Sequence, residues 1–205
     1  MESNDERAKH CLASSHDAGA LRFIGDHEFD LVYPEWIQEL SDRHWTPVDV
    51  ARKAARLLVT GPGTRVLDIG CGPGKFCAIG ASITEGHFTG VEQRGRLADI
   101  AKQVAQRRAP ARVRIVHANI TEVSFRDYDA FYIFNPFEEN RIPSRRIDRD
   151  VELAPRLYTE YARYVESQLA LAPLGTRVVT YHGEFQEIPA GYDCERTAFA
   201  GDLKL

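Results

Sequence analysis

From about residue 63 onward, short apolar runs alternate with stretches of helical period. "RVLDI" at 65–69, "HFTGVE" at 87–92, "RVRIVHA" at 112–118, "YDAFYIFN" at 128–135 and "GTRVVTYHG" at 175–183 read as five strands. Each is a near-continuous apolar run, the pattern of a strand buried on both faces of a parallel sheet. Between them lie helical segments from about Phe76, at "RLADIAKQVAQRR" (96–108), and from about Arg156, where Leu157, Tyr161, Tyr164, Val165 and Leu169 recur at helical spacing. Two short strand candidates follow, near Phe185 to Ile188 and Thr197 to Leu205. Strand and helix in alternation predict an α/β fold with helices covering both faces of the sheet.

Upstream of this region, "YPEWIQEL" and "TPVDVARKAARLLV" read as two further helices. The second is expected to start with Thr46 as N-cap and Pro47 at the first helical position, with Val50, Ala54, Leu57 and Leu58 on one face. Residues 1–20 are polar and aperiodic and are expected to form a flexible tail. Residues 21–62 are then an N-terminal helical cap or lid, and 63–205 the main domain.

Composition narrows the partners. The 205 residues suit one well-buried domain, and 43% hydrophobic with 27% charged residues is ordinary for a globular chain. A net charge of −4 means that a nucleic acid would have to be held by a local patch, which argues against one. No apolar run is long enough for a bilayer, and the acidic N-terminus does not resemble a signal peptide, so a cytoplasmic location is expected. Cys11, Cys71, Cys77 and Cys194 lack metal-ligand spacing and read as reduced thiols, with no metal site.

Chemistry enters with "VLDIGCGPGKF", which sets Gly70, Gly72 and Gly74 between a strand and a helix. Such glycines let the backbone approach a ligand closely, next to a helix N-terminus. The spacing does not suit a phosphate-binding P-loop: Ile69 stands where its first glycine belongs and Phe76 where its hydroxyl belongs. A dinucleotide fingerprint would place the third glycine one residue later. Glu92 ends the next strand 18 residues past Gly74, near the spacing of a ribose-binding acid, and a carboxylate can accept from two vicinal hydroxyls.

The pattern Asp68-x-Gly70-x-Gly72-x-Gly74, followed by Glu92, resembles the class I S-adenosylmethionine-dependent methyltransferases. The resemblance implies a Rossmann-like, seven-stranded, mostly parallel sheet of order 3-2-1-4-5-7-6. It further implies S-adenosyl-L-methionine as cofactor, S-adenosyl-L-homocysteine as product, and residues 63–205 as the cofactor-binding domain. Asp68, Gly70, Cys71, Gly72, Gly74 and Glu92 would bind the cofactor. Asn119, at the end of the third strand, would accept from the adenine amino group, with Gln93 and Ile120 lining the adenine slot.

The acceptor side is expected at the ends of the fourth and fifth strands, which that order makes neighbours. Asn135 would sit there beside cofactor and acceptor, and His182 would be a candidate base with an ordinary pKa of about 6.5. Asn135-Pro136-Phe137 is similar to the [Asn/Asp/Ser]-Pro-Pro-[Tyr/Phe] motif of amino-methyltransferases, with one proline missing. As a plain structural feature it reads as a strand-ending turn. "FNPFEEN" and "VVTYHGE" also look like bacterial methyltransferase-fold proteins of unassigned substrate. Trp45 to Pro47 is similar to the Thr-Pro lid of protein lysine methyltransferases. Tyr132, Tyr181, Glu138 and Glu139 are weaker candidates, Glu138 and Glu139 either orienting a cationic amine or opening the next helix. The basic connector with Arg141, Arg145, Arg146 and Arg149 reads as a solvated loop. The acceptor is expected to be a small molecule or a protein side chain. The alternatives are a non-catalytic S-adenosylmethionine-binding regulator or scaffold, and a dinucleotide-dependent oxidoreductase.

Overall fold

The computed structural model describes residues 25–182 and 186–205. The tail at 1–20, Cys11, the first four residues of the 21–62 segment and Phe185 lie outside the described residues.

Five strands run parallel: β1 (Arg65–Ile69), β2 (His87–Glu92), β3 (Val113–His117), β4 (Ala130–Ile133) and β5 (Arg177–Tyr181). Two short strands, β6 (Thr197–Ala198) and β7 (Leu203–Lys204), complete a seven-stranded sheet of order 3-2-1-4-5-7-6, with β7 antiparallel to both β5 and β6. Both short strands therefore come from within 197–205, whereas residues 186–188 form a turn. The expected strand near Ile188 is absent there because Pro189 and Gly191 turn the chain.

Among the described residues the α-helices are α1 (Asp26–Asp30), α2 (Glu35–Gln38), α3 (Ser41–His44), α4 (Val48–Leu58), α5 (Lys75–Ile83), α6 (Gly95–Arg108) and α7 (Pro155–Ala170). Alternate residues of the central strands serve opposite faces of the sheet. Val66, Ala130, Tyr132 and Val179 join the core built with α4, α5 and α6, while Leu67, Ile69, Phe131, Ile133 and Val178 pack with α7. Such two-sided burial is why the strands read as apolar runs rather than alternating ones. The aromatic stripe of α7 is mostly core: Leu157, Tyr161, Val165 and Leu169 are buried, and Tyr164 is half-buried with its hydroxyl on the Val123 carbonyl. Among the described residues no helix is long and apolar enough to cross a membrane.

The start of α4 differs from expectation. Pro47, not Thr46, occupies the N-cap, and the first helical N–H, that of Val48, donates to Asp26 Oδ1 at 2.9 Å. Thr46 Oγ1 instead pairs with Tyr132 Oη at 3.1 Å in the interior. The cap comes from 22 residues upstream, where local spacing could not reveal it.

A second long-range tie holds the N-terminal helices down. Lys75, the first residue of α5, is 2% exposed, and its Nζ lies 2.7 Å from Asp26 Oδ1, 2.8 Å from Asp30 Oδ1 and 3.3 Å from Ser41 Oγ. The lysine beside the glycine loop thus faces α1 and α3.

Candidate functional site

The glycine loop leaves the carboxyl end of β1 where the order of connections reverses, the place where open α/β sheets form a crevice. Gly70 and Gly72 have φ of +76° and +53°, the left-handed region that glycine enters without penalty. The Gly70 and Cys71 N–H groups both donate to the Val91 carbonyl, tying the loop to β2. A Cβ at Gly70 would lie 2.6 Å from Pro136 Cβ, and one at Gly72 would lie 2.7 Å from the Trp45 ring. Asn135-Pro136-Phe137 and Trp45 therefore close on the loop from two sides. Gly74 is the N-cap of α5 and packs against Ala101.

A cleft opens over this loop, with Gly70, Gly72, Glu92, Gln93, Asn119, Ile120 and Asn135 in its wall. Glu92 is 5% exposed, and its Oε2 accepts from the Gly72 N–H at 3.0 Å while Oε1 accepts from the Arg94 N–H at 2.8 Å. Burial raises its pKa, and the Arg94 and Gly72 donors partly offset that. Two donors leave a carboxylate with further lone pairs, so Glu92 can take two more hydroxyls. Val91, Ile120, Phe137 and Tyr161 supply apolar surface to the same wall, which suits a planar base beside a sugar.

Asn119 also stands in this wall, with its amide turned by local bonding. Its Oδ1 accepts from both Thr121 N and Thr121 Oγ1 at 3.0 Å, and Glu122 closes a capping box on its N–H. The Nδ2 group donates to Tyr161 Oη at 2.9 Å. The oxygen expected to accept from adenine is engaged within the turn, and the amide offers its NH2 side toward Tyr161.

Asp68 and Cys71 line a small hollow behind the loop rather than the cleft. Burial pushes the Cys71 thiol well up, so it packs as a small apolar group. Burial likewise raises Asp68 to about 7, against a hydrogen bond from Cys77 Sγ that lowers it, with Glu92 raising it further. A carboxyl whose folded pKa exceeds its unfolded value holds extra protons in the folded state between the two, and stability falls as pH rises through that window. Asp68→Asn is thus expected to gain stability over the wild type as pH rises from about 4 to about 7, by about 3–4 kcal/mol. Urea unfolding at several pH values measures this, and a gap independent of pH would contradict it.

At the exit of β4, Asn135 has φ +40° and its carbonyl accepts from the Glu138 N–H, forming the turn. Among the described residues its side-chain amide has no hydrogen-bond partner. Phe134 and Asn135 separate the cleft from a second hollow that also holds Arg43, Arg145 and His182. Asn135 and His182 therefore do share a crevice, but His182 is not in the cleft wall that contains Glu92. His182 has φ +45°, packs against Tyr181 with ring centroids 4.1 Å apart and the rings tilted by 43°, and has Nδ1 3.5 Å from Asp202 Oδ1.

Three wall residues went unassigned in the sequence. His44 lies beside Trp45 in the wall, and its pKa is lowered to about 4 by burial and then by Arg43, Arg94 and Arg145, so the imidazole is neutral at pH 7. Arg94 is buried between Glu139 and Asp148. Tyr161 turns its hydroxyl from the α7 stripe to Asn119. Among the weaker candidates, the Glu139 carboxylate is taken by Arg94 and the Ile147 N–H, while Tyr132 is buried against Phe76, stacked at 3.9 Å.

The strand order, with helices on both faces of the sheet, is that of the Rossmann-like methyltransferase fold. Within it, residues 66–149 match a family profile described as a methyltransferase domain. TrmN from Thermus thermophilus superposes with a TM-score of 0.55 at 18% identity, over 79% of this chain and 47% of that one. An RNA methyltransferase from Salinibacter ruber, in complex with S-adenosyl-L-homocysteine, gives 0.53 at 17% identity, over 77% of this chain and 86% of that one. The [4+2]-cyclase SpnF gives 0.50 at 19% identity, over 65% and 43%. The chain thus spans less than half the length of TrmN and of SpnF. No curated protein matches it by sequence.

Proposed function

We propose that the chain binds S-adenosyl-L-methionine in the cleft over the glycine loop and transfers its methyl group to a small-molecule or protein acceptor. The observation that carries this reading is Glu92. Buried, held by two N–H donors and still able to accept, it stands beside a left-handed glycine loop at the switch point of the sheet. The methyltransferase-domain match and the fold support the same reading.

The cofactor would supply an activated methyl on a sulfonium, leaving this chain to bind, align and exclude water. Glu92 would hold the ribose, Ile120, Phe137 and Tyr161 the base, and the glycine loop the remainder of the cofactor. Trp45, fixed by its Nε1–H to the Ile37 carbonyl and packed on Gly72, would act with α1–α4 as a lid. Asn135, its amide free between the two hollows, would orient the acceptor. His182 would be within the acceptor's hollow as a base, and His44, neutral, would add no positive charge near a sulfonium.

Calorimetry with S-adenosyl-L-methionine, S-adenosyl-L-homocysteine and NAD tests the cofactor. Binding of NAD and of neither sulfur compound would overturn the reading in favour of an oxidoreductase. The cyclase among the structural neighbours makes transfer a separate question from fold. A labelled-methyl screen of amines, peptides and RNA addresses it, and cofactor binding with no transfer to any acceptor would favour a scaffold. Asn135→Ala is expected to change cofactor affinity less than threefold while lowering transfer at least tenfold. An equal loss of both would move Asn135 from the acceptor to the cofactor or the fold.

A further inference from the structure

Arg94 connects two parts of the site that lie far apart in the chain. Its N–H is on Glu92 Oε1, while its buried guanidinium places Nη2 2.9 Å from Glu139 Oε2 and Nε 3.0 Å from Asp148 Oδ1. Glu139 Oε2 also accepts from the Ile147 N–H at 2.7 Å, and Asp148 Oδ1 accepts from the Asp150 N–H at 3.0 Å. One side chain therefore fastens the end of β2 to the short turn at Glu138–Asn140 and to the connector that follows it. Arg145 and Ile147 of that connector stand in the cleft wall, and Arg145 also borders the second hollow.

The junction holds more acceptors than donors. A single guanidinium faces Glu139 and Asp148 while its backbone serves Glu92, and among the described residues Asp148 Oδ2 is buried without a hydrogen-bond partner. Donors added at Glu92 would hold its carboxylate ionised and in place on the Arg94 N–H, fixing the backbone from which the guanidinium projects. Because that group is planar with donors in fixed directions, its pose sets both carboxylates at once.

We propose that a bound adenosyl cofactor orders the acceptor-side connector through Arg94, so that binding is sequential, cofactor first and acceptor second. The proposal rests on the cofactor reading above. Arg94 is a positioning residue here: it acts through Glu92 on one side and through Glu139 and Asp148 on the other. Two connector states are required, docked on Arg94 or released, and cofactor binding favours the docked one.

Limited trypsin digestion of the full chain, with and without saturating S-adenosyl-L-homocysteine, reads the connector directly. Arg145, Arg146 and Arg149 are exposed, and cleavage after each is identified by mass spectrometry. The expected result is that the ligand slows these cuts at least tenfold in the wild type. In Arg94→Gln the cuts are fast with or without it. Asp148→Asn leaves Glu92 intact and guards against misfolding of the Arg94 variant. It is expected to lose most of the protection and, by reciprocity of coupling, to bind the ligand three- to tenfold more weakly. Ligand binding by calorimetry without slower cleavage, or full protection in Asp148→Asn, overturns the coupling and leaves the cofactor reading standing. Absence of ligand binding to the wild type removes both.

Discussion

Lys75→Ala is expected to destabilise the protein by about 3–5 kcal/mol, because it strips the cation from a buried carboxylate rather than from a surface pair. Lys75 is 2% exposed, and the Asp30 side chain it neutralises is 7% exposed. Asp26 is about half exposed, so it adds less. Asp30 would be left with the Ser41 hydroxyl as its hydrogen-bond partner in an apolar setting beside Phe29. For a chain of this size the loss corresponds to a drop in Tm of roughly 10 °C. Urea unfolding measures the free energy, and the double change Lys75→Met with Asp30→Asn is expected to recover most of it by removing both charges. A loss below about 1 kcal/mol in the single variant would show that the N-terminal helices are held by apolar packing instead.

Glu92→Ala is expected to lower affinity for S-adenosyl-L-homocysteine at least 100-fold. Two hydrogen bonds from hydroxyls to a buried carboxylate would be lost, each worth about 1.5–3 kcal/mol. The Gly72 and Arg94 N–H groups would also lose their acceptor, so the loop and the start of α6 should loosen. Glu92→Gln keeps one acceptor oxygen and is expected to cost about tenfold. Calorimetry on folded variants, checked by circular dichroism, gives both numbers. An alanine variant binding within threefold of the wild type would remove Glu92 from the ribose and require another carrier for the proposed function.

The order of elements and their two-sided burial were legible because each strand is a continuous apolar run with a helical segment after it. The glycine loop and Glu92 were legible because a left-handed turn and a strand-end acid leave residue-type signatures at fixed spacing. Lys75 and Arg94 were not, since their partners lie 45 to 54 residues away and only the folded chain brings them together. Thr46 shows the same limit: it has the residue type of an N-cap, but a buried tyrosine hydroxyl took its side chain. Asn119 shows a subtler one, because its position in the wall followed from the strand, while the direction of its amide was decided two residues further on by Thr121. β6 and β7 are only two residues each, too short to show a period, and so the sequence pointed to the right region at 197–205 and to a spurious one before it.

The close seat of Pro136 in the space left open by Gly70 bears on how this protein could be redesigned. A side chain at 70 would displace Pro136, and so the loop after β1 and the loop after β4 form a fitted joint rather than two independent modules. Transplanting residues 134–140 from a relative would succeed where the donor keeps proline at 136 and would fail where it brings a β-branched residue there. Laboratory selection for new acceptors should accordingly spread changes over Asn135, Phe137 and Glu138 while leaving the glycine–proline pair frozen, and the rate at which 70 and 136 change together would measure the strength of that joint.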